Sequence, residues 1–200
     1  MSVPGLVPFM YGVGDVDFFD RVAPVYDLAM PPADGGALAA ALEHATRPIE
    51  RLLDVGGGSG RAAAALTGPD ITVVDASIEM LSRARRARGL AGLAADAGRL
   101  PFGDASVDAV TVVDAFHHLP AHDAALAEAA RALAPGGALV VREFDPDHPL
   151  GRLLAAGEHA IGMDSRFLPP DDLAAAMNAV DLDPRIVDRG FGYTVVGVRR

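Results

Sequence analysis

Three acidic residues, one glycine-rich loop and a pair of histidines carry most of the chemistry this chain can offer. Residues 52–61, LLDVGGGSGR, set Asp54, Gly56, Gly58 and Gly60 at alternate positions directly after an aliphatic run. A P-loop requires Gly-x-x-x-x-Gly-Lys-Ser/Thr, and the chain contains no lysine. A dinucleotide fingerprint, Gly-x-Gly-x-x-Gly/Ala, fits only as Gly58, Gly60 and Ala63, which puts its first glycine several residues past the strand. The remaining frame is Asp-x-Gly-x-Gly-x-Gly. There the loop backbone can approach the amino-acid part of a zwitterionic ligand, and Asp54 suits the ligand's ammonium, directly or through water.

Two further acids end aliphatic runs. Asp75 closes ITVVD, where a carboxylate accepts hydrogen bonds from both hydroxyls of a ribose. Asp96 opens DAGRLPFGDASVDAV and can accept from an adenine amino group lying across the strand ends. Each acid also has a purely structural reading, as a helix cap or turn former. His117 and His118 follow the next apolar run and titrate near neutral pH, as a general base should, although such a pair also caps loops. Tyr26 and Asp27 either close over the ligand or stabilise a helix break. Phe18, Phe19, Phe116, Phe144 and Phe167 read as core or as the wall of an apolar pocket. His117, His118, His122 and Asp123 lie close in sequence, but Pro120 breaks their helical spacing and no HExxH or Cys/His pattern exists, so no metal site is expected.

These groups need a scaffold that brings strand ends to one edge. Apolar runs at 51–55, 71–75, 92–96, 107–115 and 138–144 read as strands, with helices from Gly60 to Leu66, Ile78 to Ala87 (N-cap Ser77) and 122–133 between them. Strands alternating with helices imply βαβ units and a parallel sheet covered on both faces. After a helix at 170–179, residues 184–200 form two β-rich runs joined by Gly190-Phe191-Gly192, a tight hairpin. The expected fold is therefore α/β: a Rossmann-like, doubly wound, seven-stranded sheet, mostly parallel with an antiparallel C-terminal hairpin strand. Residues 15–46 read as helical, broken by Pro24, Pro31 and Pro32. One domain is expected, with a helical cap over 1–48, a ligand-binding core over 49–145, and substrate-side helices and the hairpin over 146–200.

Composition narrows the partners. Seventeen basic residues, all arginine, face 27 acids, for a net charge of −10. An acidic surface of this kind suits either a salt-adapted cytoplasm or a GC-rich genome, and it disfavours nucleic acid. The cluster Arg83, Arg85, Arg86 and Arg88 ends at Gly89, where cations suit a helix C-terminus. Cysteine is absent, which excludes disulfides and thiolate chemistry. No apolar run approaches the roughly 18 residues that span a bilayer, and the first residues lack a signal-peptide pattern, so a cytoplasmic monomer or homodimer without stable membrane insertion is expected.

Six segments, in order, resemble the class I S-adenosylmethionine-dependent methyltransferases, closest to the ubiquinone/menaquinone C-methyltransferase group (methyltransferase type 11 domain). They are FFDRVAPVYD (18–27), LLDVGGGSGR (52–61), VVDASIEML (73–81), DAGRLPFGDASVDAV (96–110), VVDAFHHL (112–119) and RALAPGGALVVREF (131–144). The resemblance implies S-adenosyl-L-methionine as cofactor. It implies that Gly56, Gly58 and Gly60 line the methionine moiety, Asp75 holds the ribose, Met80 packs near the adenine, and Asp96 with Ala97 reads the adenine edge. Asp114 would lie beneath the methionine end. A branched or charged residue often follows the ribose acid in that family, whereas here it is Ala76. The resemblance also turns His118, more than His117, toward the cofactor and puts substrate contacts at Glu143, Asp145 and His148, a segment that reads equally as a solvated acidic loop. The implied activity is methyl transfer to a small molecule, first a ring carbon of a quinone-type or isoprenoid aromatic, otherwise an oxygen or nitrogen of another metabolite. An NAD-dependent oxidoreductase and a cofactor-binding protein without catalysis are the rival readings.

Overall fold

The computed structural model describes residues 15–23, 26–30 and 32–200. Pro24 and Pro31, two of the expected helix breaks, and the stretch examined for a signal peptide lie outside the described residues. The helices are α1 (Val16–Val22), α2 (Tyr26–Ala29), α3 (Gly35–Leu42), α4 (Arg61–Ala64), α5 (Ile78–Arg88), α6 (His122–Ala132), α7 (Pro149–Ala160) and α8 (Pro170–Ala179). The strands are β1 (Arg51–Val55), β2 (Asp70–Asp75), β3 (Ala91–Ala94), β4 (Val107–Val113), β5 (Leu133–Phe144), β6 (Leu182–Asp188) and β7 (Gly192–Arg199). They form one sheet in the order β3-β2-β1-β4-β5-β7-β6. Strands β1 to β5 are parallel, and β7 runs antiparallel between β5 and β6.

Sequence explains this arrangement strand by strand. In β4 five of seven residues are apolar and the first six are buried, as a strand covered on both faces requires. Neighbours along β1, β4 and β5 divide between two cores. Leu53, Val110, Leu139 and Val141 pack with Phe116, Leu126, Leu173 and Tyr193 on one face. Leu52, Ala109, Ala138 and Val140 pack with Leu38 and Leu42 of α3 on the other. Full burial of each large side chain contributes about 1.5–3 kcal/mol. Pro184 is tolerated in β6 because that strand pairs only with β7 and leaves its outer edge open. Asp108 accepts the backbone N–H groups of Glu50 and Arg51 at 3.0 and 2.9 Å. Burial opposes its ionisation, but those donors and Arg47 hold its carboxyl below the usual range, which fixes β1 against β4.

Several boundaries differ from the sequence-based expectation. β5 begins at Leu133, five residues before the expected 138, and β4 ends at Val113 rather than 115. β3 ends at Ala94, so Asp96 lies in the following loop, where it bridges to Arg99. The helix after the glycine loop is a single turn, Arg61–Ala64, because the chain turns back at once toward β2. Residues 149–160 form α7, started by Pro149 at its first turn and by His148, whose Nδ1 accepts from the Leu150 N–H at 3.2 Å. Among the described residues, no helix is long and apolar enough to cross a membrane.

The sheet order reverses between β1 and β4. From β1 the chain winds outward to β3, then returns to the other side of β1. Open α/β sheets bind ligands at this reversal, outside the carboxyl ends of the strands. Asp54, Asp75 and Val113 all lie at that edge.

Candidate active site

The glycine loop shows its frame in its backbone. Gly56, Gly58 and Gly60 have φ of +67°, +55° and +79°, the left-handed region that L side chains rarely adopt, and the intervening residues do not. A Cβ at Gly56 would stand 2.8 Å from the Ala115 Cβ, and one at Gly58 would stand 2.9 Å from the Met80 Cε. Conformation demands glycine at each position; at Gly56 the Ala115 methyl adds a steric demand, whereas at Gly58 the flexible thioether end of Met80 can give way.

Beneath and beside the loop lie the two strand-end acids. Asp54 is fully buried; its Oδ1 accepts from the Thr111 hydroxyl at 2.8 Å, while its Oδ2 has no partner. Burial, partly offset by Thr111, pushes its carboxyl up to about 6. Asp75 accepts the Gly58 N–H through Oδ2 at 2.7 Å and the Ser77 N–H through Oδ1 at 2.8 Å. Burial raises it also to about 6, against those donors. The Ala76 N–H is a third backbone donor to it, and a carboxylate has about four acceptor positions, so acceptor capacity remains for a ligand hydroxyl. Ser77 caps α5, its hydroxyl oxygen accepting from the Met80 N–H at 3.1 Å, which seats the Met80 side chain under the loop.

One pocket opens over these groups. Its floor and far end are Gly56, Gly58, Asp75, Ala76, Met80, Asp96 and Ala97; its near end is Asp114, His118, Tyr26, Phe19 and Asp15. Several residues singled out from the sequence stand off its wall, among them Asp27, Asp145, His148 and every candidate phenylalanine except Phe19. Asp54 lies one layer behind the loop, Gly60 turns the chain into α4, and His117 and Glu143 sit deeper, beside the near end. The structure adds Arg61, which lines the wall 5.6 Å over the Tyr26 ring and 3.8 Å from Asp114. Asp114 itself takes φ +51° and pairs with Arg142 at 3.0 Å. A non-glycine residue held in the left-handed region marks a site where the surrounding fold over-determines the backbone.

His117 and His118 have opposite surroundings. The His117 Nδ1 meets the Glu143 Oε2 at 2.6 Å and its Nε2 faces the Glu158 Oε1 at 3.6 Å, while Phe167 stacks on the ring at 4.2 Å. Burial alone would depress this imidazole; Glu143 outweighs it and holds the pKa at about 9. Glu143 also accepts the Phe116 N–H at 3.2 Å, so it anchors the turn that carries both histidines. His118, on the pocket wall, is lowered by burial and by its charged neighbour His117, and so stays neutral near pH 7. Its Nδ1 meets the Asp15 Oδ2 at 2.8 Å. Ligand-type atoms of His117, His118 and Glu158 come within 4.8 Å of one another. Sequence spacing hid this grouping because Glu158 arrives from α7, and the His117 nitrogens are already engaged by two carboxylates.

The N-terminal helices are tied down from the opposite side. Asp27 accepts from the Ser59 hydroxyl at 2.7 Å, from Arg83 at 2.8 Å and from Arg88 at 2.9 Å. Burial opposes its ionisation, but Arg88, Ser59 and Arg83 drive its carboxyl far below the usual range. Ser77 donates to Asp20 of α1. Two arginines of the α5 cluster thus bind the cap.

The methyltransferase-domain family model matches residues 53–141, the stretch from β1 to β5 that carries the glycine loop and the strand-end acids. The demethylmenaquinone methyltransferase of Beutenbergia cavernae is 40% identical over 134 residues, covering 63% of this chain and 56% of that protein. The one from Thermus thermophilus is 40% identical over 145 residues, covering 64% of each. The chain thus spans about three fifths of the length of these relatives. Among solved structures, an S-adenosylmethionine-dependent methyltransferase of Thermotoga maritima, described as a possible histamine N-methyltransferase, superposes with a TM-score of 0.73 at 22% identity over 92% of this chain and 99% of that one. Phosphoethanolamine N-methyltransferase 2 of Haemonchus contortus, solved with S-adenosyl-L-methionine, reaches 0.72 at 16% identity, covering 98% of this chain and 60% of that one. Residues 53–141 are a methyltransferase domain, carried on the class I, Rossmann-like fold of the S-adenosylmethionine-dependent methyltransferases.

Proposed function

We propose that this chain transfers a methyl group from S-adenosylmethionine to a ring carbon of a quinone-type or isoprenoid aromatic acceptor. The observation that carries the reading is the single pocket at the β1/β4 reversal. Its donor end is made of glycine backbone and acids, and its near end of Phe19, Tyr26 and His118. The residues fit the cofactor in three ways. Gly56 and Gly58 leave a cradle that any Cβ would fill; Asp75 keeps acceptor capacity for a ribose hydroxyl; the unpartnered Asp54 Oδ2 supplies negative potential behind the loop. Asp96 and Ala97 would edge the adenine, Met80 would pack on it, and Arg61 offers a guanidinium for a carboxylate. When bound, the cofactor supplies an electrophilic methyl on a sulfonium with a good leaving group.

The protein's own work is positioning, exclusion of water and one proton transfer. An aromatic carbon becomes nucleophilic when its neighbouring hydroxyl loses a proton, and neutral His118 at the near end is the group placed to take it. Tyr26, whose hydroxyl burial holds in the neutral form, stays a hydrogen-bond donor beside it. His117 and Glu143 hold the turn from behind rather than touching the acceptor. The names of the relatives favour a menaquinone-type ring.

The test is transfer from methyl-labelled S-adenosylmethionine to a reduced 2-demethyl naphthoquinone, with the product's methyl carbon assigned by NMR. A carbon-bound label supports the reading. A label found only on oxygen or nitrogen acceptors overturns the ring-carbon assignment, and tight NADH binding without S-adenosylmethionine binding overturns the methyltransferase itself.

A further inference from the structure

Asp15 precedes α1 and belongs to no motif that the sequence displays, yet it reaches across 103 residues to His118. Both its oxygens are engaged. Oδ2 lies 2.8 Å from the His118 Nδ1, and Oδ1 accepts the Asp164 N–H at 2.9 Å. Its side chain is only 7% exposed, so this pair lies out of bulk solvent. Phe19, one turn further along α1, sets its ring edge-on against the imidazole, with centroids 4.9 Å apart. Among the described residues none hydrogen-bonds the Nε2, which belongs to a ring on the pocket wall.

We infer that Asp15 is a positioning residue that fixes His118 in the tautomer with the proton on Nδ1 and the lone pair on Nε2, so that the base of this pocket is completed by the N-terminal helix. An ionised carboxylate can only accept, so Nδ1 must be the donor. The other nitrogen of a neutral imidazole is then an acceptor by elimination. This is the arrangement of a nucleophile-activating base held by a third group, here with the acceptor's hydroxyl as the proton source. The other groups facing His118 do not compete for this role. The Ser165 hydroxyl is 3.4 Å from the same Nδ1, His117 offers only its ring face and charge, and Glu158 is directed at His117. The fold thus ties base competence to the seating of α1, whose other contacts include Asp20 with Ser77.

The inference rests on His118 acting as the base, and the experiment separates the two. Nitrogen-15 NMR of the full chain at pH 7.5 reads each histidine's tautomer without any substrate, with His118→Gln assigning the signal. The expected wild-type spectrum has a protonated Nδ1 and an unprotonated Nε2. In Asp15→Asn, whose amide can donate to Nδ1, the populations should move toward Nε2–H; Asp15→Ala should show the mixture of a free imidazole. A wild-type His118 with the proton on Nε2, or a tautomer indifferent to both substitutions, overturns the inference.

In turnover, both Asp15 variants should lose about 10- to 100-fold in kcat, a part of the roughly 10²- to 10⁴-fold that a general base supplies, with KM for S-adenosylmethionine within threefold of wild type. The acid limb of the pH profile should move to lower pH, because removing the carboxylate removes a charge that raises the His118 pKa. His118→Ala should lose as much as the double variant. If His118→Ala is impaired while Asp15→Asn is not, Asp15 has no such role. If His118→Ala turns over normally, the base reading fails, and the tautomer spectrum still reports on Asp15.

Discussion

The Asp75 carboxylate accepts the Gly58 N–H at 2.7 Å, so the acid at the end of β2 and the loop after β1 form one unit across a strand boundary. Asp75 therefore both shapes the loop and presents its remaining acceptor capacity to the ligand. Asp75→Ala should weaken S-adenosylmethionine binding by tenfold or more, the loss of about 1.4 kcal/mol or more from paired hydrogen bonds. Isothermal titration checks this; unchanged affinity removes Asp75 from the ribose site.

Gly58→Ala tests the loop from its other side. The new methyl meets the Met80 Cε at 2.9 Å, and the backbone stays at φ +55°. The thioether end is flexible, but the backbone strain of roughly 1 kcal/mol is not relieved by moving it. Cofactor affinity should fall in Gly58→Ala and recover only partly in Gly58→Ala/Met80→Ala. Full recovery in the double variant would show that space, not φ, is what demands glycine there.

The buried His117–Glu143 pair gives stability a direction with pH. The folded pKa of His117, about 9, is raised above the ordinary 6.5. Its contribution is therefore complete below about pH 6.5 and is lost as pH rises through 9. The full amount is on the order of 3 kcal/mol. Denaturant unfolding between pH 6 and 10 should show this decline, and it should disappear in Glu143→Gln, which also destabilises at neutral pH by breaking a buried pair. A wild-type profile flat over that range rejects a charged His117.

Asp27 holds the cap to α5 through Arg83 and Arg88. Partly exposed pairs of this kind contribute about 0–1 kcal/mol each, so Asp27→Ala should lower the melting temperature by only a few degrees. Its functional cost should be larger. Tyr26 neighbours Asp27 on the pocket wall, so cofactor release should accelerate severalfold, measured by stopped-flow fluorescence with a fluorescent S-adenosylhomocysteine analogue. An unchanged off-rate would show that the cap does not gate the donor end.

Local chemistry determined a large share of this protein before any fold was known. Alternate glycines after an apolar run specified a left-handed loop, the aliphatic runs specified buried parallel strands, and the closing Gly-Phe-Gly specified the reversed strand. Each depends on residues within a few positions of one another, and the conformational preferences involved are intrinsic to the backbone. Ser77 capping α5 is legible for the same reason.

Tertiary structure decided what depends on distance in the chain. Asp15 meets His118 across 103 residues, Asp27 meets Arg83 across 56, and Glu158 reaches His117 from a helix that the sequence reading left unassigned. Sequence placed both histidines at one loop, and only the family resemblance turned His118 rather than His117 toward the cofactor. Burial and neighbouring carboxylates make His117 a charged internal anchor, while His118 stays neutral on the pocket wall. Electrostatic character is a property of the assembled surroundings, and those surroundings come from five separate elements of the fold.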